Sequence, residues 1–146
     1  MTNTIADITQ DSEVIMLVGS NPEHAHPVFS MQIRQALKRG AKLIVVDPRD
    51  IDLSRQADIH LKLRPGTNIA FANGMMHIFI EEDLIDHEFI EKRTEHFEEI
   101  KKVVAEYTPE RGAEICRIDP DKLREAARLY AKAKTAPVIY CLGVTE

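Results

Sequence analysis

The chain has no tryptophan and only two cysteines, Cys116 and Cys141, among its 146 residues. Two distant thiols form neither a CxxC pair nor a zinc-finger spacing, and they cannot build a disulfide scaffold. An iron–sulfur cluster, which takes four cysteine ligands, finds no support within these residues. Long apolar runs are also lacking; the longest fall far short of the roughly 20 residues that span a bilayer. The N-terminus has no basic region leading into an apolar core, so no secretory signal is read, and reduced thiols suit a cytoplasmic setting. Positive charge is not in excess either. A formal net charge of −5 argues against non-specific binding to nucleic acid. It leaves room for a phosphate site, which needs only a few local donors.

What is present is an ordinary balance for a globular domain: 44% hydrophobic and 29% charged residues, with no internal repeat or low-complexity stretch. Three short apolar runs, at residues 14–18, 43–46 and 59–63, each deliver a loop of unusual composition. The loops are Gly19-Ser20-Asn21-Pro22 with His24, His26 and Pro27 behind, then Asp47-Pro48-Arg49, then Arg64-Pro65-Gly66-Thr67-Asn68. If the runs are parallel strands, the loops share the carboxyl edge of one sheet, where open α/β sheets bind ligands.

Between the runs the period changes. Residues 27–39 space Val28, Met31, Ile33, Ala36 and Leu37 as one face of a helix, ended by Lys38, Arg39 and Gly40. Residues 47–58 read as a polar crossing with a helical turn. Residues 67–81 are apolar on most sides, which predicts a helix buried between the sheet and another layer. Two charged helices follow at residues 86–93 and 95–106, with Phe89, Ile90, Phe97, Ile100, Val103 and Val104 as their inward stripe. Thr108-Pro109 and Asp119-Pro120 are helix-start signals. A fourth strand at residues 137–142 runs into a glycine loop at 143–146. The expected fold is a Rossmann-like α/β three-layer sandwich with a mainly parallel sheet of four or five strands. One domain over residues 1–146 carries a helical segment, 86–134, packed on it. The open loop at the end raises the expectation of a longer polypeptide.

Each loop has a plain reading beside a functional one. Gly19 permits a sharp turn and close ligand approach, and free N–H groups at the next helix start hold phosphate. Yet no GxGxxG is present, and a simple turn with Asn21 bonded to its own backbone serves as well. Asp47 at a strand tip could read a ribose diol or the paired N–H donors of guanine. It could equally cap the next turn, while Arg49 meets phosphate, pairs with Asp47 or lies in solvent. Gly66 and Thr67 suit a ligand loop or an ordinary helix start. His24 and His26 lack partners at metal-ligand spacing, His77 reads as a core histidine, and Cys116 as a buried structural thiol. No nucleophile–base constellation is apparent, so no catalytic residue and no metal ligand is assigned.

The strings GSNPEHAHP, KLIVVDPR and LRPGTNIAFANGMMHIFIEEDLID, with FIEKRTEHFEE, YTPE and GVTE, occur in that order. Together they resemble the molybdopterin-dependent oxidoreductases, most nearly the catalytic subunits of formate dehydrogenases, over essentially the whole chain. The resemblance implies a domain that binds bis-molybdopterin guanine dinucleotide carrying molybdenum or tungsten. It implies that Gly19, Ser20, Asn21 and His26 line pyrophosphate and pterin, that Asp47, Pro48 and Arg49 lie near the guanine nucleotide, and that Gly66 and Asn68 form a further cofactor loop. Glu146 matches a position beside the pterin. The family's cysteine motif for a 4Fe–4S cluster, its metal-ligating cysteine or selenocysteine and its C-terminal cofactor domain have no match here. The expectation is therefore a domain of a longer subunit whose partners are its other domains and electron-transfer subunits or iron–sulfur proteins, not a catalyst on its own. A nitrate reductase-like relative and a stand-alone nucleotide-binding module are the alternatives.

Overall fold

The computed structural model describes residues 4–145 of the chain. In chain order the elements are α1 (Ile5–Gln10), β1 (Val14–Val18), α2 (Pro22–Ala25), α3 (Pro27–Lys38), β2 (Lys42–Val46), a 3-10 turn (Asp52–Gln56), β3 (Ile59–Leu61), α4 (Asn68–Glu81), α5 (His87–Arg93), α6 (Phe97–Val104), α7 (Pro109–Cys116), α8 (Pro120–Ala131), β4 (Val138–Tyr140) and α9 (Leu142–Thr145). They divide into two compact units, Met1–Lys62 with Ala133–Glu146, and Leu63–Lys132.

The first unit is a four-stranded sheet of order β3-β2-β1-β4, every neighbouring pair parallel. Val14 to Val18 stand opposite Lys42 to Val46, and Val18 also stands opposite Tyr140. All four strands therefore end at one edge. β1 is buried at each position, and β2 from Leu43 onward, as strands covered on both faces require. One core joins Ile15 and Leu17 of β1 and Leu43 and Val45 of β2 to Ile33 and Ala36 of α3, with Ile51 and Leu53 beyond. Removing a fully buried leucine or isoleucine from water stabilises the fold by about 1.5–3 kcal/mol. The polar N-terminal stretch forms α1 because Thr4 and Asp7 cap each other's backbone, and the Arg39 guanidinium bonds Thr9 O at 2.5 Å.

The second unit is helical and begins at Leu63, so it takes in α4 as well as the segment read as an appendage. α4 packs on α6, α7 and α8 through Ala70, Phe71, Gly74, Met75 and Ile78. At the crossing with α7, the Cα of Gly112 lies only 3.9 Å from where a Gly74 Cβ would stand, and Leu123 Cδ2 lies 3.2 Å from it. Thr108 and Asp119 cap α7 and α8 as their sequence signals predict. Their Ala113, Cys116, Leu123, Ala126 and Ala127 are buried. Three expectations fail here. Phe89, Ile100 and Val103 are exposed, so the inward stripe of α5 and α6 reduces to Val104 with half-buried Ile90 and Phe97. Thr67 does not cap α4 with its side chain but donates to Arg64 O at 2.6 Å. The third strand ends at Leu61, two residues early, because Leu63 joins the helical unit.

Candidate functional site

The strand order changes direction within the first unit. From β1 the chain moves out through β2 to β3, then returns to the other side of β1 as β4. The order thus reverses at β1, between β2 and β4, and the carboxyl ends of strands at such a reversal are where open α/β sheets bind ligands. Gly19 sits at that point with φ +56°, and its N–H donates to Val46 O at 2.8 Å. A side chain at this φ is strained, so glycine leaves the backbone bare at the strand tip.

Ser20 is buried, and its hydroxyl lies 3.5 Å from Cys141 Sγ, which joins the loops after β1 and β4. Asn21 does not form the expected bond to its own backbone. Its Oδ1 is buried with no hydrogen-bond partner. A buried unpaired carbonyl costs free energy unless a ligand or water satisfies it. The following Pro22 starts α2, a helical turn that was not expected, and Glu23 on it grips the Arg34 guanidinium of α3 at 2.6 and 2.7 Å. This ion pair sets the turn against α3. His24 and His26 are exposed, and among the described residues no cluster of three or more His, Cys, Asp or Glu is arranged to hold a metal ion.

The tip of β2 is more tightly built. Asp47 is 1% exposed, although it is a carboxylate. Its Oδ1 accepts from the Arg49 N–H at 2.9 Å and from Arg49 Nε at 3.0 Å, and its Oδ2 from Arg49 Nη2 at 3.1 Å. Of the readings left open by the sequence, the structure has Asp47 paired with Arg49. The Asp47 carboxylate raises the Arg49 pKa by hydrogen bonding and by its charge, so the guanidinium stays cationic. With its side chain 65% exposed, Arg49 is a fixed cation presented at the rim. Pro48 between them is exposed and holds the turn.

Residues 64–68 form a loop built into the second unit. The Arg64 N–H donates to Cys116 O at 2.9 Å, and the Cys116 thiol approaches Thr67 O at 3.5 Å. Gly66 adopts φ +84° and is exposed, with open space around its Cα, while Asn68 is half-buried at the first position of α4. Cys116 is fully buried, and burial pushes its pKa up, which fits an inert structural thiol. His77 bonds Val104 O at 2.9 Å through Nδ1, a structural role.

Sequence reading missed His60, Asp50 and Lys62. His60 Nε2 lies 3.1 Å from Asp47 O, and Lys62 Nζ lies 2.6 Å from Asp50. The available signal was the polar residue between Ile59 and Leu61 in a strand, which must point away from both.

A bare backbone at a strand tip, an orphaned buried amide oxygen and an oriented arginine suit an anionic ligand rich in donors, as a nucleotide is. The sheet order and the helices around it define the class: an α/β fold with a parallel four-stranded sheet. The family model described as molybdopterin oxidoreductase matches residues 1–144. The chain thus belongs to the molybdopterin oxidoreductases, a family whose cofactor is a molybdopterin. It is 44% identical over its whole length to the F420-dependent formate dehydrogenase subunit alpha of Methanocaldococcus jannaschii, covering 22% of that protein. It is 42% identical over its whole length to formate dehydrogenase H of Escherichia coli, covering 20% of it. Nitrate reductases match at 33 to 36% identity. Among solved structures, acetylene hydratase from Pelobacter acetylenicus superposes with a TM-score of 0.86 at 35% identity, over 95% of this chain and 20% of that one. The chain spans about a fifth of the length of the relatives it matches. Among the described residues no helix is long and apolar enough to cross a membrane.

Proposed function

We propose that this chain is the nucleotide-binding part of a formate dehydrogenase catalytic subunit. The observation that carries the nucleotide half is the Asp47–Arg49 fork at the tip of β2, beside the bare Gly19 turn. The choice of formate draws support from the stronger likeness to formate dehydrogenases, 42 to 45% identical, than to nitrate reductases.

The residues fit a bis-molybdopterin guanine dinucleotide, with molybdenum or tungsten as its metal. When bound, that group supplies the two-electron redox chemistry that takes formate to carbon dioxide. The chain's own residues bind and orient. Gly19 admits a pyrophosphate close to the backbone, and Asn21 Oδ1 accepts from a ligand N–H. Arg49 offers its free guanidinium edge to phosphate or stacks on the base, while Asp47 holds it in place. Asp47 is thus recast from direct reader of guanine to orienter of Arg49, since it is buried and three Arg49 N–H groups already donate to it. Ser20 fixes the loop from within, and Pro48 stiffens the turn. His26, Gly66 and Asn68 remain proposed contacts with the pterin and with a further cofactor loop. A 4Fe–4S cluster, electron-transfer subunits and a cytoplasmic setting belong to the same reading. The designation of the Methanocaldococcus relative as a subunit alpha supports the partner subunits.

The test is formate-dependent reduction of a viologen dye by the polypeptide that carries this chain, made without air in a host that supplies the guanine dinucleotide cofactor. The proposal expects formate oxidation, with guanine nucleotide released on acid hydrolysis of the protein. Nitrate reduction without formate oxidation would overturn the substrate. Absence of any guanine nucleotide would overturn the cofactor.

A further inference from the structure

We propose that His60 is a positioning residue of the nucleotide site, aiming the Arg49 guanidinium through the backbone of Asp47. The inference rests on the reading that Arg49 meets a nucleotide.

Both main-chain groups of Asp47 are held by β3. Its N–H donates to Leu61 O at 3.2 Å, and its carbonyl oxygen lies 3.1 Å from His60 Nε2. A carbonyl only accepts, so Nε2 carries the proton and donates. A residue clamped at both its N–H and its C=O has a fixed backbone, so the Cα–Cβ bond from which the buried carboxylate reaches Arg49 is fixed in direction. The order of action is His60, Asp47, Arg49. The His60 side chain is 16% exposed, so its bond competes little with water. The other end of the turn is tied just past the same strand: Lys62 Nζ pairs with Asp50 at 2.6 Å, and the Asp50 carboxylate faces His60 Nδ1 at 3.9 Å. β3 has only three residues, and beyond pairing with β2 it and the residue that follows it hold the turn at both ends.

The experiment uses the 146-residue chain and its His60→Phe, His60→Asn and His60→Gln variants. Phenylalanine keeps the ring volume and loses the donor. Asparagine keeps an amide too short to reach, while the glutamine amide nitrogen comes close to the position of Nε2. Two readouts are taken: the affinity for GDP, and the exchange rate of the Arg49 Nε–H proton by NMR. The expected result is a GDP affinity about threefold to tenfold weaker in His60→Phe and His60→Asn, the equivalent of one net hydrogen bond. Arg49 Nε–H exchange speeds up in both, and His60→Gln restores both readouts. Wild-type affinity and exchange in His60→Phe and His60→Asn would overturn the role of His60 and leave the nucleotide reading standing. If no protein binds GDP, the nucleotide reading fails, and the positioning claim is still decided by Arg49 exchange across the four proteins.

Discussion

Replacing Asp47 by alanine gives the sharpest check on how the β2 tip is held. The carboxylate is buried and takes three N–H groups from one residue. The backbone bond to a charged acceptor contributes about 1.5–3 kcal/mol. The two guanidinium bonds add little, about 0–1 kcal/mol, because the Arg49 side chain is 65% exposed and rehydrates when released. Removing the carboxylate also removes its own desolvation penalty, which offsets part of the loss. The net expectation for Asp47→Ala is a destabilisation of about 1.5–3 kcal/mol. Asp47→Asn keeps an acceptor for the Arg49 N–H and costs about 1 kcal/mol less. Urea unfolding followed through the amide resonances of β1 and β2 reads the sheet unit separately from the helical one. A loss below about 0.5 kcal/mol in Asp47→Ala, the ordinary range for a surface change, would refute the reasoning. Equal damage from asparagine would do the same, since charge and not the backbone bond would then dominate.

Leu123 is fully buried against the Gly74–Gly112 crossing, so Leu123→Ala should cost the helical unit about 2–5 kcal/mol in chemical denaturation. Gly74→Val should cost about 1–3 kcal/mol there, because its Cβ already meets Leu123 Cδ2 at 3.2 Å; an unchanged midpoint would show that the crossing has slack. For Asp58, burial works to raise its pKa, but the Lys42 ammonium and the Leu43 N–H outweigh burial and hold it below the ordinary 3.8. Its folded value lies below its unfolded one, so its stabilisation is full above about pH 4 and fades as pH falls through the folded value. Asp58→Asn should therefore lower stability at neutral pH and converge with wild type in acid melts. Iodoacetamide should label Cys141 in the native protein and spare Cys116 until it unfolds, as peptide mapping would show.

How much of this was legible depended on whether the signal was local. β1, β2 and α3 could be read because buried parallel strands are uninterrupted apolar runs and a packed helix repeats its apolar face. The starts of α7 and α8 were legible for the same reason: Thr108-Pro109 and Asp119-Pro120 carry the whole cap within two residues. Long-range partners left no such mark. Phe89, Ile100 and Val103 have helical spacing, but nothing in that spacing says whether another element covers them, and none does so fully. Thr67 has the chemistry of a cap, and its hydroxyl turned instead to Arg64 O, an acceptor supplied by the preceding loop. At the candidate site, the position of Gly19 and Asp47 at strand tips was readable. The choice of Arg49 as partner for Asp47 was only one of several options, and the hold of His60 on Asp47 depends on the register of β3 against β2.

The central claim is that the carboxyl edge of the sheet grips a guanine nucleotide through the turns after β1 and β2. Titrating GDP into the isotope-labelled chain tests it directly. The account predicts amide shifts confined to residues 19–21 and 47–50 in the first unit, with at least a tenfold weaker affinity in Asp47→Ala, about 1.4 kcal/mol. Equal binding by wild type and Asp47→Ala, or shifts along α8 with those turns unmoved, would contradict it.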